Sequence, residues 1–509
     1  MAEPLTYLQN RAKENWIICD SDRLDFSAIA LQLFHQFTQR ETRPTILLAE
    51  ADPLRFLASF IAAVAARCPI FLTNPNWVEK EWEQVCTLVQ PDIICTASTS
   101  IRDFVSFRAA LSPRAKSAIA PQNPKLKSAI MIPTGGSSGQ IRFAIHRWET
   151  LMASVRGFTA YFQTPTVNSF CLLPVYHVSG LMQFLRSLTT GGKLVILSSY
   201  KKLPGYGNWQ AIATPSAAEN SPVPLLEKIN PEDFFISLVP TQLNRLLQAP
   251  EAGNYLSRFK TVLLGGAPAW PDLLDRARRC KIALAPTYGM TETASQVVTL
   301  KPTDFIAGYN SSGRVLPHAK ITICDRNGEK LGVNQIGRIA IQAESLAWGY
   351  YGEGEMKNES GKIRPFLSDD LGFFDEQGYL NIVGRASDKI ITGGENVFPV
   401  QVEAAIRATG LVADACAIAV ADGDWGQAIA AVYVPHPGIS ARAIAEALED
   451  KLAKYKRPKY WCAVQQMPRN AQGKVNRERV QAIAKAHLRD ANSSDEEDSS
   501  ARMGSGEKS

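Results

Sequence analysis

Short, almost wholly apolar runs alternate with longer amphipathic stretches along much of the chain: TILLAE before a helical pattern at Pro53–Arg67, DIICTA, SFCLLPV, KLVILSS, FFISLVP before TQLNRLLQ, and KTVLLGG before PDLLDRARRC. A strand that reads apolar throughout has no solvent face, so these runs predict parallel sheets with helices covering both sides. From about Lys320 the pattern becomes alternating, with Gly and Asn-Gly punctuation (KITICDRNGEKLG, GRIAIQA, GYLNIVG), which predicts an antiparallel, barrel-like subdomain. A new unit starts after Gly384-Arg385. Its helix at Pro399–Ala408, strands at ADACAIAVAD and QAIAAVYVP, helix at Ala441–Leu452 and run WCAVQQMP fit a small α+β domain of about 100 residues.

The fold class is therefore α/β. A large N-terminal domain over residues 1–384, with two α/β subdomains and a β-barrel-like one, precedes a small α+β C-terminal domain over 385–488. Two segments carry no sustained period. Tyr200–Pro224, rich in Gly, Pro, Ser and Asn, reads as a long loop or insertion. The acidic stretch 489–509 cannot bury apolar surface and is expected to be disordered. No internal repeat is present.

Charge and cysteine content narrow the function. The 55 Lys+Arg and 49 Asp+Glu give +6; the tail from Asp490 onward holds six acidic and two basic residues, so the remainder carries +10. That excess suits phosphate-bearing ligands, and nothing resembles a basic arm for nucleic acid. Nine scattered cysteines without a CxxC spacing predict neither a disulfide framework nor a zinc site. The N-terminal sequence lacks the apolar run of a signal peptide, and the longest apolar stretch, Phe56–Ala66, is too short for a membrane span. A cytoplasmic enzyme is expected, with homo-oligomerisation left open.

The chemistry resides in a few loops. Met131-Ile-Pro-Thr-Gly-Gly-Ser-Ser-Gly139 follows an apolar run, and a Gly/Ser/Thr loop of this kind wraps phosphate oxygens with N–H groups and hydroxyls. The GxxxxGK(S/T) spacing is absent, which excludes a P-loop NTPase. Tyr288-Gly-Met-Thr-Glu-Thr293 offers at a strand end a hydroxyl for a phosphate oxygen and a carboxylate for Mg²⁺. Asp370, Arg385, the loop Gly393-Gly-Glu-Asn396 and Pro468-Arg-Asn-Ala-Gln-Gly-Lys474 follow in order.

With these motifs in this order, the chain from about Thr45 to Arg479 resembles the superfamily of acyl-CoA synthetases, peptide-synthetase adenylation domains and firefly luciferase. Within it, Pro174-Val-Tyr-His-Val-Ser-Gly180, Ser237–Leu243, Thr261–Ala267, Met290–Thr299 and His146 are similar to the 2-succinylbenzoate:CoA ligases of menaquinone and phylloquinone synthesis. The resemblance implies ATP, Mg²⁺ and coenzyme A as small-molecule partners, with an acyl-adenylate between two half-reactions. It implies that Thr134, Gly135, Gly136, Ser137, Ser138 and Gly139 close over the β- and γ-phosphates. Gly265, Gly266, Ala267 and Tyr288 would hold the adenine, with Gly289 also at the nucleotide, Thr291 the α-phosphate, Glu292 the Mg²⁺, and Asp370 and Arg385 the ribose. Lys474 would stabilise the adenylation transition state. The small domain would be mobile about Ser387, exchanging Lys474 for Gly393, Gly394 and Glu395, which would then line the pantetheine tunnel.

His177, Ser179, Gly180, Ser295 and Gln296 are candidates for the acyl pocket. Three departures stand out from the family pattern: Ser387 where many relatives have aspartate, Ile141-Arg142 in place of Pro-Lys, and Ser368-Asp369-Asp370 in place of Thr-Gly-Asp. Arg142 keeps the charge with fork geometry and is a candidate to meet a phosphate oxygen. Asp370 is in register, and Asp369 is the weaker candidate for the ribose. Competing readings are a CoA ligase for another aryl or fatty acid, a carrier-loading adenylation enzyme, and a non-catalytic nucleotide-binding protein.

Overall fold

The computed structural model describes residues 2–19, 24–96, 128–135, 140–197, 203, 229–352, 364–469 and 474–488. Gly136–Gly139 of the phosphate loop, nearly all of Tyr200–Pro224, Asn470–Gly473 and the acidic tail lie outside these residues.

Two mainly parallel sheets make up most of the N-terminal part. One has the order Ile93–Cys95, Ile46–Leu48, Ile70–Leu72, Ile130–Gly135, Ile141–His146, and only its last pair is antiparallel. The other runs Ile17–Cys19, Leu194–Ile196, Asn168–Cys171, Phe234–Leu238, Thr261–Leu264, Leu284–Met290, Ser295–Thr299, Arg314–Val315, turning antiparallel after Leu284–Met290. Every residue of Ile46–Leu48, Ile70–Leu72 and Ile93–Cys95 is buried, which explains why these runs show no alternation.

The helix Pro53–Ala65 joins the two layers. Asp52 caps it by accepting from Arg55 N at 2.8 Å, and Pro53 takes the first turn, where its missing N–H costs nothing. Ten of its thirteen residues are buried, and Phe60 meets Phe184, on the helix Val178–Thr190, edge-on at 6.5 Å. The apolar run Phe56–Ala66 is thus a core helix. Among the described residues no helix is long and apolar enough to cross a membrane.

The third sheet is antiparallel throughout, in the order Ala319–Cys324, Gly337–Ala343, Phe366–Phe374, Leu380–Arg385. It shares a core with Val297 and Val298 of the large sheet, and a bridge from Gly313 to Leu380 ties its far edge down. The fourth sheet holds Glu395–Val397, Ile390–Thr392, Gly426–Pro435 and Val412–Asp422, with Tyr460–Ala463 parallel to Gly426–Pro435. Helices Pro399–Arg407, Ala441–Glu446 and 477–488 pack around it.

Two local expectations change. The helix predicted over Ala441–Leu452 ends at Glu446, because the N–H groups of Leu448, Glu449 and Lys451 turn to carbonyls three residues back. Gly393–Asn396 is the tip and return strand of a hairpin, not an open loop; Gly393 and Gly394 take φ of +56° and +84° at its turn.

Candidate active site

The strand Leu284–Met290 leaves the large sheet through a bulge at Tyr288/Gly289 and ends in a single turn of 3₁₀-helix, Thr291–Thr293. Gly289 is obligatory there, since a Cβ would lie 2.1 Å from the Ser295 carbonyl oxygen. Ala294 and Ser295 follow with φ of +50° and +95°, a conformation that side chains resist. Side-chain bonds hold it: Ser154 Oγ donates to the Ala294 carbonyl at 2.7 Å and Thr293 Oγ1 to that of Ser295 at 2.6 Å.

This turn fixes Thr291 and Glu292. His146, fully buried at the end of Ile141–His146, places Nε2 2.8 Å from the Thr291 carbonyl, so the proton is assigned to Nε2. The carbonyl of Glu292 accepts from Ala347 N at 2.8 Å. Its carboxylate, in a residue 7% exposed, accepts from the Tyr350 hydroxyl at 2.7 Å. Beneath that tyrosine lies Arg142, its guanidinium carbon 3.6 Å from the ring centroid. Planar arginine stacks on an aromatic face as a lysine ammonium does not, which accounts for Arg142. Thr134, cross-strand from Arg142, and Gly135 end the preceding strand.

On the other side of the strand end, Gly265 follows Thr261–Leu264, where a Cβ would come within 2.4 Å of Thr287 Oγ1. Gly266 has φ of +83° and lies exposed with Ala267. The Tyr288 hydroxyl donates to Asp370 Oδ2 at 2.8 Å, and Arg385 Nε is 3.5 Å from Asp370 Oδ1. Burial, and then the charge of Asp370, push the Tyr288 phenol well above the ordinary tyrosine range, so it stays a neutral donor. Ser368 Oγ accepts from Asp370 N at 3.2 Å, which fixes the carboxylate's backbone.

Lys474 keeps accessible surface, as a cleft-lining residue does, yet is surrounded by protein. Burial and then Arg385 hold its ammonium below the usual lysine range, while Glu292 and Asp370 pull it back up. His177, the N-cap of Val178–Thr190, faces the same cleft; burial, and then Lys474, push its imidazole down to about 3, so it is neutral near pH 7. Tyr288, Glu292, Asp370, Arg385, His177 and Lys474 are therefore brought together from widely spaced segments. Gly393, Gly394 and Glu395 belong to another environment: Gly393 packs under the ring of Trp425, and Glu395 is exposed. Ser387 hydrogen-bonds Asp369.

Two of the acyl-pocket candidates, Ser295 and Gln296, contact a residue that the sequence reading missed. Arg186, on the helix begun by His177, is fully buried and donates to Ser295 Oγ at 3.2 Å and Gln296 Oε1 at 3.1 Å. Its guanidinium lies 4.1 Å from the Phe158 ring, and burial lowers its pKa to about 9. Gly180 touches the Pro174 carbonyl so closely that a Cβ would come within 2.3 Å of its oxygen, and the Ser179 carbonyl accepts from Gln183.

The metal question has a chemical answer. Among the described residues no group of three or more His, Cys, Asp or Glu could hold an ion. A single oriented carboxylate, Glu292, fits Mg²⁺ that arrives on nucleotide phosphates, because this ion commonly takes one or two protein carboxylates and keeps its other ligands as phosphate and water. A polar cavity of about 270 Å³ between Trp270 and Arg407 contains none of these residues.

Residues 41–351 match the family model described as AMP-binding enzyme, and 401–474 match the AMP-binding enzyme C-terminal domain. The chain is 32% identical over 355 residues, 69% of its length and 68% of the relative's, to a 2-succinylbenzoate–CoA ligase of Enterococcus faecalis. It is 28% identical to that of Bacillus mycoides over 84% of both chains. The o-succinylbenzoate CoA synthetase of Bacillus subtilis, solved with its acyl-adenylate intermediate, is similar in structure, with a TM-score of 0.75, 23% identity, and 93% of this chain and 97% of that one covered.

Proposed function

The chain belongs to the AMP-binding enzyme family, and we propose that it ligates 2-succinylbenzoate to coenzyme A through an acyl-adenylate, using ATP and Mg²⁺. One observation carries the mechanism: Lys474 stands within electrostatic range of Glu292, Asp370, Arg385 and His177, so the groups assigned to phosphate, ribose and acyl substrate share one cleft.

In the first half-reaction an oxygen of the substrate carboxylate attacks the α-phosphorus of ATP and pyrophosphate leaves. Two anions must approach, and negative charge concentrates between them. A lysine ammonium held at that point, in partly desolvated surroundings, stabilises this arrangement more than the separated reactants, which is what accelerates the step. Glu292, oriented by Tyr350, would hold the Mg²⁺ carried by ATP, whose charge would offset that of the phosphates. Tyr288 fixes the Asp370 carboxylate with Arg385 beside it, a pair that presents both acceptor and donor to ribose hydroxyls. Gly265, Gly266 and Ala267 leave open backbone against which the adenine lies. In the second half-reaction the thiolate of coenzyme A attacks the acyl carbonyl and AMP leaves.

Residues 1–384 are the ATP- and acyl-binding domain and 385–488 the mobile domain that supplies Lys474 and then, after turning at Ser387, the Gly393–Glu395 hairpin. Thr291 contacts the α-phosphate, and the Thr134–Gly139 segment covers the outer phosphates. Neutral His177 borders the acyl pocket with Ser179, Gly180, Ser295 and Gln296. The enzyme works in the cytoplasm, in menaquinone or phylloquinone synthesis.

The test is a panel of acids. Purified protein with ATP, Mg²⁺ and CoA should form acyl-CoA and AMP from 2-succinylbenzoate, and far less from benzoate or a fatty acid. Turnover of a control acid alone would refute the substrate assignment, and no adenylate from any acid would refute the ligase.

A further inference from the structure

The chain passes from the third sheet to the fourth through Arg385–Lys389, and its hydrogen bonds change sides within one residue. Ala386 N donates to the Asp369 carbonyl at 2.8 Å, and Ser387 N and Oγ both donate to Asp369 Oδ2, at 3.3 and 2.5 Å. The next residue, Asp388, instead pairs with Arg477 at 3.3 Å. Arg477 in turn binds Glu403 at 3.1 Å and the Ala417 carbonyl at 3.0 Å, all within the small domain. Asp369 sits on the strand Phe366–Phe374 with Arg338 3.7 Å away. Its neighbour Asp370 is occupied by Tyr288 and Arg385, so the two adjacent carboxylates have separate tasks.

We propose that Asp369 is a positioning residue for the first half-reaction: it clasps Ser387 in the conformation that delivers Lys474 to Glu292 and Asp370. This rests on Ser387 being the hinge. A turn about the N–Cα bond of Ser387 swings Oγ away from the carboxylate that its own N–H still faces. The paired contact is therefore made in one of the two conformations only, and a contact made in one state biases the population toward it. Two hydrogen bonds from an exposed residue to one carboxylate support a bias of about threefold to tenfold. Asp369 also resolves the departure at Ser387, since the carboxylate that engages the hinge is carried by the neighbouring strand.

The experiment compares the half-reactions in Asp369→Ala: adenylate formation by pyrophosphate exchange, and thioester formation from chemically supplied adenylate. The first is expected to fall about threefold to tenfold, with the second unchanged or faster. Ser387→Ala, which retains the backbone N–H, should shift the ratio less in the same direction. Equal loss of both half-reactions at an unchanged melting temperature, or no change in either, overturns the proposal. Should the alanine variant fold poorly, Asp369→Asn decides: a smaller shift of the same sense supports the clasp, and a wild-type ratio overturns it. Ser387→Pro, which fixes φ, tests the hinge itself. A wild-type ratio there refutes the hinge reading, whereas a shift there without one in Asp369→Ala refutes only the clasp.

Discussion

Replacing Tyr350 by Phe removes one hydroxyl while keeping the ring on which Arg142 lies, so it isolates the 2.7 Å bond to Glu292. A hydrogen bond to a charged group contributes about 1.5–3 kcal/mol. If Glu292 must be held in one rotamer to meet Mg²⁺, that loss raises the Mg²⁺ concentration for half-maximal adenylate formation by about 10- to 150-fold. The lower end is expected, because Glu292 has Lys474 nearby and its backbone stays anchored by Ala347. The assay is pyrophosphate exchange against Mg²⁺ at saturating ATP and acid. Tyr351→Phe serves as the control, since the Tyr351 ring packs edge-on against Phe71 at 4.9 Å. An unaltered Mg²⁺ requirement in Tyr350→Phe, at any turnover rate, would refute the idea that the hydroxyl orients a metal-binding carboxylate.

Three further outcomes follow from the geometry. Lys474→Ala should lower adenylate formation by about 10²- to 10³-fold, the usual loss for one charge-stabilising group, while supplied adenylate is still converted to thioester; equal damage to both steps contradicts the role. His177 binds its proton near 3 when folded and near 6.5 when unfolded, so below pH 6.5 the unfolded chain takes up the proton first and stability falls as the pH drops. His177→Asn should therefore lose about 2 kcal/mol less than wild type between pH 7 and pH 5 in urea unfolding, and parallel pH profiles contradict this. Gly289→Ala must push the Ser295 carbonyl aside from 2.1 Å, which should cost about 1–3 kcal/mol of stability and impair adenylation, read by melting temperature and exchange rate.

The parts legible in the sequence were those in which local pattern and final environment agree. Ile46–Leu48 and Ile70–Leu72 read as buried parallel strands because every side chain in them is covered, and Asn327-Gly328 marked a turn in which Gly328 takes φ of +87°. Glu292, Asp370 and Lys474 were singled out as candidates by their motifs. Tyr350 and Arg186 were not, since nothing near them in sequence signals their partners: Tyr350 reaches Glu292 across 58 residues and Arg186 reaches Ser295 across 109. Asp369 looked like a competitor of Asp370 for one task. Only the folded register shows that adjacent residues on Phe366–Phe374 reach different partners, Asp370 toward Tyr288 and Asp369 toward Ser387.

The acyl-adenylate can be tested by following oxygen. With 2-succinylbenzoate labelled with ¹⁸O in the carboxylate to be activated, attack on the α-phosphorus leaves one labelled oxygen bridging carbon and phosphorus, and thiolate attack at the carbonyl breaks the carbon side of that bridge. Mass spectrometry of the products should find one ¹⁸O in AMP for each acyl-CoA formed. Unlabelled AMP, or ADP accompanied by labelled phosphate, would contradict the mechanism.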